Sequence, residues 1–252
     1  MPNLPAVVGS LFPEVTSLPI VALLDASLTV WRGKDVLEFI DGLSTNKVTE
    51  LKSGQLIRTI FTDSNAKIID CVTLFHMGEF VVAVGHLPFL DKLLKHTSRR
   101  ILGQDVTITD ITQRNDLFIE FDCINDSADV GTFSTEGEIT RGNITSSYSL
   151  IVVGKGNGPI NLEKFEKFNQ WRIINKIPWH GYEITNSFHP FACGLEDLVH
   201  LQKGCYIGQE ILARMHSRGR QGKSLSQVDT LTCKPSSITT MGENQSLAII
   251  RC

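Results

Sequence analysis

The stretch from Gln202 to Arg220, QKGCYIGQEILARMHSRGR, concentrates more residues able to do chemistry than its surroundings. Gly204 and Gly208 bracket Cys205, Tyr206 and Ile207, and the helix-forming run EILARM follows. Glycines so placed permit a tight backbone path into a helix N-terminus. A thiol just ahead of such a terminus lies near unpaired N–H groups and the positive end of the helix dipole, which favour the thiolate, and Lys203 adds to that field. Cys205 therefore reads as a nucleophile, a redox thiol or a transient cluster ligand; the plainer alternative is a small hydrophobe buried in a loop. Glu210, in the first helical turn, has the plain role of complementing the dipole. Arg214, Arg218 and Arg220, with His216 among them, form a compact basic cluster. It is either a bidentate grip for a carboxylate or phosphate or an exposed basic helix end.

Other chemistries find less support. Cys193, His189 and His200 precede Cys205, but there is no C-x-x-C pair to suggest structural zinc, and no metal site is expected. GKGNGP at 154–159 lacks the following G-K-S/T and the helix context of a phosphate-cradling loop. The six cysteines are widely scattered, and no basic-apolar succession opens the chain, so a reducing, cytoplasmic setting is expected. A formal net charge of -3 offers no global attraction to nucleic acid or an anionic membrane, and neither is expected as a partner. With 42% hydrophobic and 20% charged residues, the composition is that of a soluble globular protein. No apolar run approaches the roughly 20 residues of a membrane span.

The elements that must position these residues follow from periodicity. Residues 18–32 read as strand, turn and strand. Asp35 is a plausible N-cap for a helix with Val36, Phe39, Ile40 and Leu43 on one stripe. Residues 56–74 read as two strands around the polar turn TDSNAK, with a third at 80–85. A helix from Pro88 turns Phe89, Leu93 and Leu94 inward and Lys92, Lys95, Arg99 and Arg100 outward. Strands follow at 106–111, 117–123 and 148–153, then a helix over 162–175 whose stripe is Leu162, Phe165, Phe168, Trp171 and Ile174. After Arg220 come short β-like pieces. The pattern predicts an α+β architecture: a main region over 1–222, of two intertwined subdomains, and a reduced β-module over 223–252 that must pack on it to be stable.

The stretch KGCYIGQE at 203–210, followed by ARMHSRGR, closely resembles the signature of the YgfZ family of folate-binding proteins, which is related to the glycine-cleavage T-protein. WRIINKIPWHGYEI at 171–184 and HPFACGLEDLVHLQ at 189–202 look like that family's lead-in to its cysteine motif. The pattern from Val30 through Phe39, Gly42, Leu43, Thr45 and Asn46 resembles blocks shared with the T-protein, with Lys47 replacing the final acid, and TDSNAKIID at 62–70 matches a family strand-turn-strand. The likeness covers about residues 25–220.

The resemblance implies a T-protein/YgfZ-like fold with a truncated C-terminal β-module. Its central cavity would bind tetrahydrofolate or a one-carbon derivative. It also implies a role in assembling or repairing iron-sulfur clusters beside client or assembly proteins, with Cys205 and Lys203 at work. Asp70 resembles the acid near the reactive folate nitrogen. Around the cofactor the resemblance places Tyr206, Gln209 and Glu210, with Arg172, Arg214 and Arg220 toward its glutamyl tail. Where the T-protein carries a pterin-contacting glutamate, this chain has Ile174. That departure favours an accessory protein over the alternative, a folate-dependent aminomethyl- or methyltransferase.

Overall fold

The computed structural model describes residues 18–219 and 222–251; Arg220 lies outside them. Thirteen strands and four α-helices are described among these residues, and the strands form three sheets in which neighbours pair antiparallel. The chain opens with β1 (Ile20–Ala22) and β2 (Ala26–Arg32). These are not a hairpin. β1 pairs with β7 (Asn115–Phe121) in one five-stranded sheet, whereas β2 pairs with β5 (Phe80–His86) in the other. Residues 23–25 thus carry the chain from one sheet to the other.

The first sheet runs β1, β7, β10 (Tyr148–Gly154), β9 (Ile139–Asn143) and β8 (Phe133–Glu136). The β8–β9 hairpin escapes a reading by periodicity, because β8 is an edge strand with almost no buried side chain. The second sheet runs β3 (Leu56–Thr62), β4 (Ile68–His76), β5, β2 and β6 (Thr107–Asp110). In β4 every residue from Ile68 to Phe75 is buried, so IIDCVTLF shows no alternation: both of its faces are covered. One face meets α1 (Val36–Asp41) and α2 (Leu87–Ser98) through a core that includes Trp31, Phe39, Phe61, Ile69 and Leu93. Leu28, Leu56, Phe75 and Val84 on the other side join Leu117, Ile119 and Leu150 of the first sheet in a second core.

Two helix readings need correction. In α2 the buried apolar residues are Leu90 and Leu93, while Phe89 is half-buried, edge-on to His86. In α3 (Phe165–Ile174) the buried residues are Phe168, Arg172 and Ile173, and Ile174 is 70% exposed. A strict three-residue spacing rotates by 300° per step, so a stripe drawn from Leu162 to Ile174 drifts off the buried face. At the N-terminus of α1, Asp35 makes no side-chain cap; its carboxylate accepts instead from the Asp105 N–H at 2.8 Å.

The third sheet runs β11 (Lys223–Asp229), β13 (Gln245–Arg251) and β12 (Ile238–Thr240). Leu225, Leu247 and Ile249 bury against Ile60, Ile68, Ile173 and Ala192, so this small sheet shares a core with the end of the second one.

Candidate functional site

A cavity of about 240 Å³ opens between the two five-stranded sheets. Its walls come from residues 22–26, from β3, β5, β7 and β10, and from Phe165, Trp179, His180 and Tyr182. The aromatic side is ordered by mutual packing: Phe165 and Tyr182 stack at 6.5 Å, and Trp179 stands edge-on to Phe168 at 4.8 Å. Such walls suit a flat ring. The polar side carries Arg58, His86 and His180.

Asp70 is fully buried behind this polar side. Its Oδ1 accepts from the Cys71 N–H at 2.8 Å and its Oδ2 from the His86 N–H at 3.1 Å. A Cβ at Gly85 would stand 2.3 Å from Asp70 Oδ2, so only glycine lets the carboxylate lie there. His180 Nε2 is 3.5 Å from Asp70 Oδ1 and 2.7 Å from the Cys71 carbonyl, to which it must donate. His86 likewise donates from Nδ1 to the Asp25 carbonyl at 2.9 Å, which leaves Nε2 an acceptor. The two imidazoles stack at 5.3 Å. Burial, and then the neighbouring His180, pushes the His86 pKa down, which favours its neutral imidazole.

The cysteine motif lies elsewhere: none of residues 203–219 lines the cavity. Its loop is pinned from below. The Lys203 ammonium is buried, donating to the carbonyls of Asp41, Ser44 and Asn46 at 2.6, 2.9 and 2.7 Å, and it pairs with Asp41 Oδ2 at 3.0 Å. Its charge thus serves the chain beyond α1, and the expectation that it primes the neighbouring thiol does not match this geometry. Thr62 Oγ1 donates to the Ile207 carbonyl. Gly208, at φ +86°, precedes α4 (Gln209–Ser217) and presses on the β3–β4 turn, where a Cβ would meet the Asp63 carbonyl at 2.8 Å. Cys205 is left exposed on this braced loop.

The remaining expected ligand residues are not gathered around the cavity. Arg172 is fully buried and spends its guanidinium on Asn169, the Ile177 carbonyl, Thr240 and Glu183, so it has nothing to offer a glutamyl tail. Tyr206 is buried with Leu212 and Phe191, its hydroxyl without a partner among the described residues, and burial pushes its pKa up to about 12. Gln209 donates back to the Lys203 carbonyl at 3.4 Å. Glu210 pairs with Arg214 at 2.7 Å on the exposed face of α4. Ile174 points to solvent rather than into the cavity.

Sequence reasoning passed over Arg58, His86 and the aromatic wall. For Trp179, His180 and Tyr182 a signal existed, since PWHGY sets a tryptophan and a histidine between a proline and a glycine, with a tyrosine directly after.

No protein-family model matches the chain. The glycine cleavage system aminomethyltransferase T from Bartonella henselae has a similar structure, with a TM-score of 0.75 over 92% of this chain and 78% of that one at 12% identity. By fold the chain is therefore a T-protein-like protein. In sequence it is 23% identical to the tRNA-modifying protein YgfZ of Photorhabdus laumondii subsp. laumondii, covering 86% of this chain and 73% of the relative. It is 24% identical to the protein of that name from Hamiltonella defensa subsp. Acyrthosiphon pisum, over 89% and 76%. The likeness in fold is thus to the T-protein, and the likeness in sequence is to YgfZ-type proteins.

Proposed function

We propose that the chain is a tetrahydrofolate-binding accessory protein for the assembly or repair of iron-sulfur proteins. The folate occupies the cavity between the sheets, and Cys205 faces a client or assembly partner. The observation that carries this reading is the separation of parts: an aromatic-walled cavity on one hand, and on the other an exposed thiol on a braced loop that does not reach it.

The residues present fit a folate. Trp179, Tyr182 and Phe165 offer faces to a flat ring, His86 Nε2 accepts a hydrogen bond, and Arg58 donates. Bound tetrahydrofolate supplies nitrogens that carry a one-carbon unit. Asp70 holds the His86 backbone and lies beside His180, so it positions that wall, and the apolar remainder excludes water.

Tetrahydrofolate titrated under reducing conditions should quench the fluorescence of Trp179 saturably. Cys205→Ser should bind it as the parent does yet fail to support iron-sulfur enzymes in cells lacking the parent. Absence of saturable binding disposes of the cavity's assignment, and full support by Cys205→Ser disposes of the thiol's. Asp70, buried next to the wall, favours the alternative of a folate-dependent aminomethyl- or methyltransferase. Formation of a methyl- or methylene-folate from a panel of donors, lost in Asp70→Asn, would decide for it.

A further inference from the structure

Arg58 stands in the cavity wall with no acid paired to it among the described residues. Its Nη1 donates to Tyr148 Oη at 3.3 Å and its Nη2 to Cys71 Sγ at 3.6 Å. Burial raises the pKa of both the Tyr148 phenol and the Cys71 thiol, so both partners are neutral. No ion pair among the described residues includes Arg58. The chain treats its other interior cations differently: Arg172 meets Glu183, Arg141 meets Glu120 and Lys203 meets Asp41. A half-buried guanidinium without a counter-charge among the described residues is unfavourable, and its planar fork matches a carboxylate. Tyr148, which holds Arg58, stands edge-on to Trp179 at 6.3 Å, so the cation borders the aromatic wall.

We propose that Arg58 receives a carboxylate of the ligand, and that the cavity therefore selects a flat ring bearing or accompanied by an organic anion. This rests on the reading of the cavity as the ligand site. The carboxylate belongs either to the folate's own glutamyl group or to a second, small carboxylic acid bound beside a pterin.

The test compares the parent, Arg58→Gln and Arg58→Lys against two pairs of probes: tetrahydrofolate with 6-methyltetrahydropterin, which lacks the glutamate, and benzoate with benzamide. Arg58→Gln should weaken a carboxylate probe at least tenfold and leave its neutral counterpart within twofold, with Arg58→Lys between. Loss for tetrahydrofolate assigns the anion to the folate; loss for benzoate with tetrahydrofolate unchanged assigns it to a second acid. A parent that binds benzoate but not tetrahydrofolate sinks the folate reading and leaves Arg58's role standing. Equal losses for charged and neutral probes overturn the proposal, as does a folded parent that binds neither carboxylate. Near-UV circular dichroism checks folding. Should Arg58→Gln not fold, preference of the parent for benzoate over benzamide, weakened by salt, supports the proposal, and indifference between the two overturns it.

Discussion

A single buried nitrogen sets part of this molecule's acid sensitivity. His96 Nε2, on α2, is buried without a partner among the described residues. Burial first, then the nearby Arg100 and Lys92, pushes its pKa down to about 4. In an unfolded chain a histidine titrates near ~6.5. As the pH falls through that value the unfolded chain takes up the proton and the folded one does not, so stability is full above about 6.5 and drains away toward about 4. The shift corresponds to at most ~3 kcal/mol, and partial access to solvent reduces the expected loss to about 1–2 kcal/mol. Urea midpoints of the parent and His96→Gln, measured at pH 7.5 and 4.5, should show the parent losing that much more on acidification. Equal losses would remove His96 as a cause. The helical wheel did not single this residue out, because His96 sits among Lys92, Lys95 and Arg99, which read as a solvated face. Arg58 and His86 were illegible for a related reason. An arginine in a strand is unremarkable until the opposite sheet is known to withhold any carboxylate from it.

At the scale of elements, the cysteine loop shows where a local reading stops. The glycines of KGCYIGQE announce a turn into a helix, and Gly208 does precede α4 in a left-handed conformation. The direction of Lys203 was not available locally, because its partners, Asp41, Ser44 and Asn46, lie more than 150 residues earlier. Sequence proximity to Cys205 suggested an electrostatic role, and the fold turns the ammonium to the carbonyls beyond α1 instead. Lys203→Met should therefore act first as a bracing variant. It leaves three carbonyls and the Asp41 carboxylate without their donor, at a cost of about 1–3 kcal/mol. Hydrogen exchange should report faster opening of amides in 203–208 and at the end of α1 together, with tetrahydrofolate binding unchanged. Unaltered exchange at the end of α1 would mean that the two segments are not coupled through this side chain. The edge strand β8 was missed for a different reason: a solvated edge needs no alternation of apolar residues, so periodicity had nothing to register.

The whole molecule depends on how three sheets are joined, and one buried ion pair spans the junction. Arg172 of α3 meets Glu183 of the segment that also carries Trp179 and His180, at 2.9 Å, with both side chains fully buried. Glu183 in turn accepts from the hydroxyls of Thr239 and Thr240, each at 2.6 Å, and from the Trp179 N–H at 3.0 Å. A helix, the wall of the cavity and the small C-terminal sheet thus share one hydrogen-bonded centre. The sequence made the small sheet legible as a set of β-like pieces needing support, but the support came from a residue first assigned to a ligand. A charged side chain in a motif reads as functional when its partner, eleven positions on, is hidden in the same motif. Arg172→Ala leaves Glu183 buried without its counter-charge, which should cost about 3–5 kcal/mol. Because the tie runs through all three parts, tryptophan fluorescence and far-UV circular dichroism should report one common urea transition, shifted to lower denaturant. Tetrahydrofolate affinity should fall only to the extent that the folded fraction falls, since Arg172 does not line the cavity. Should affinity collapse while the folded fraction holds, Arg172 would belong to the ligand after all; should the two probes separate, the small sheet would be unfolding by itself.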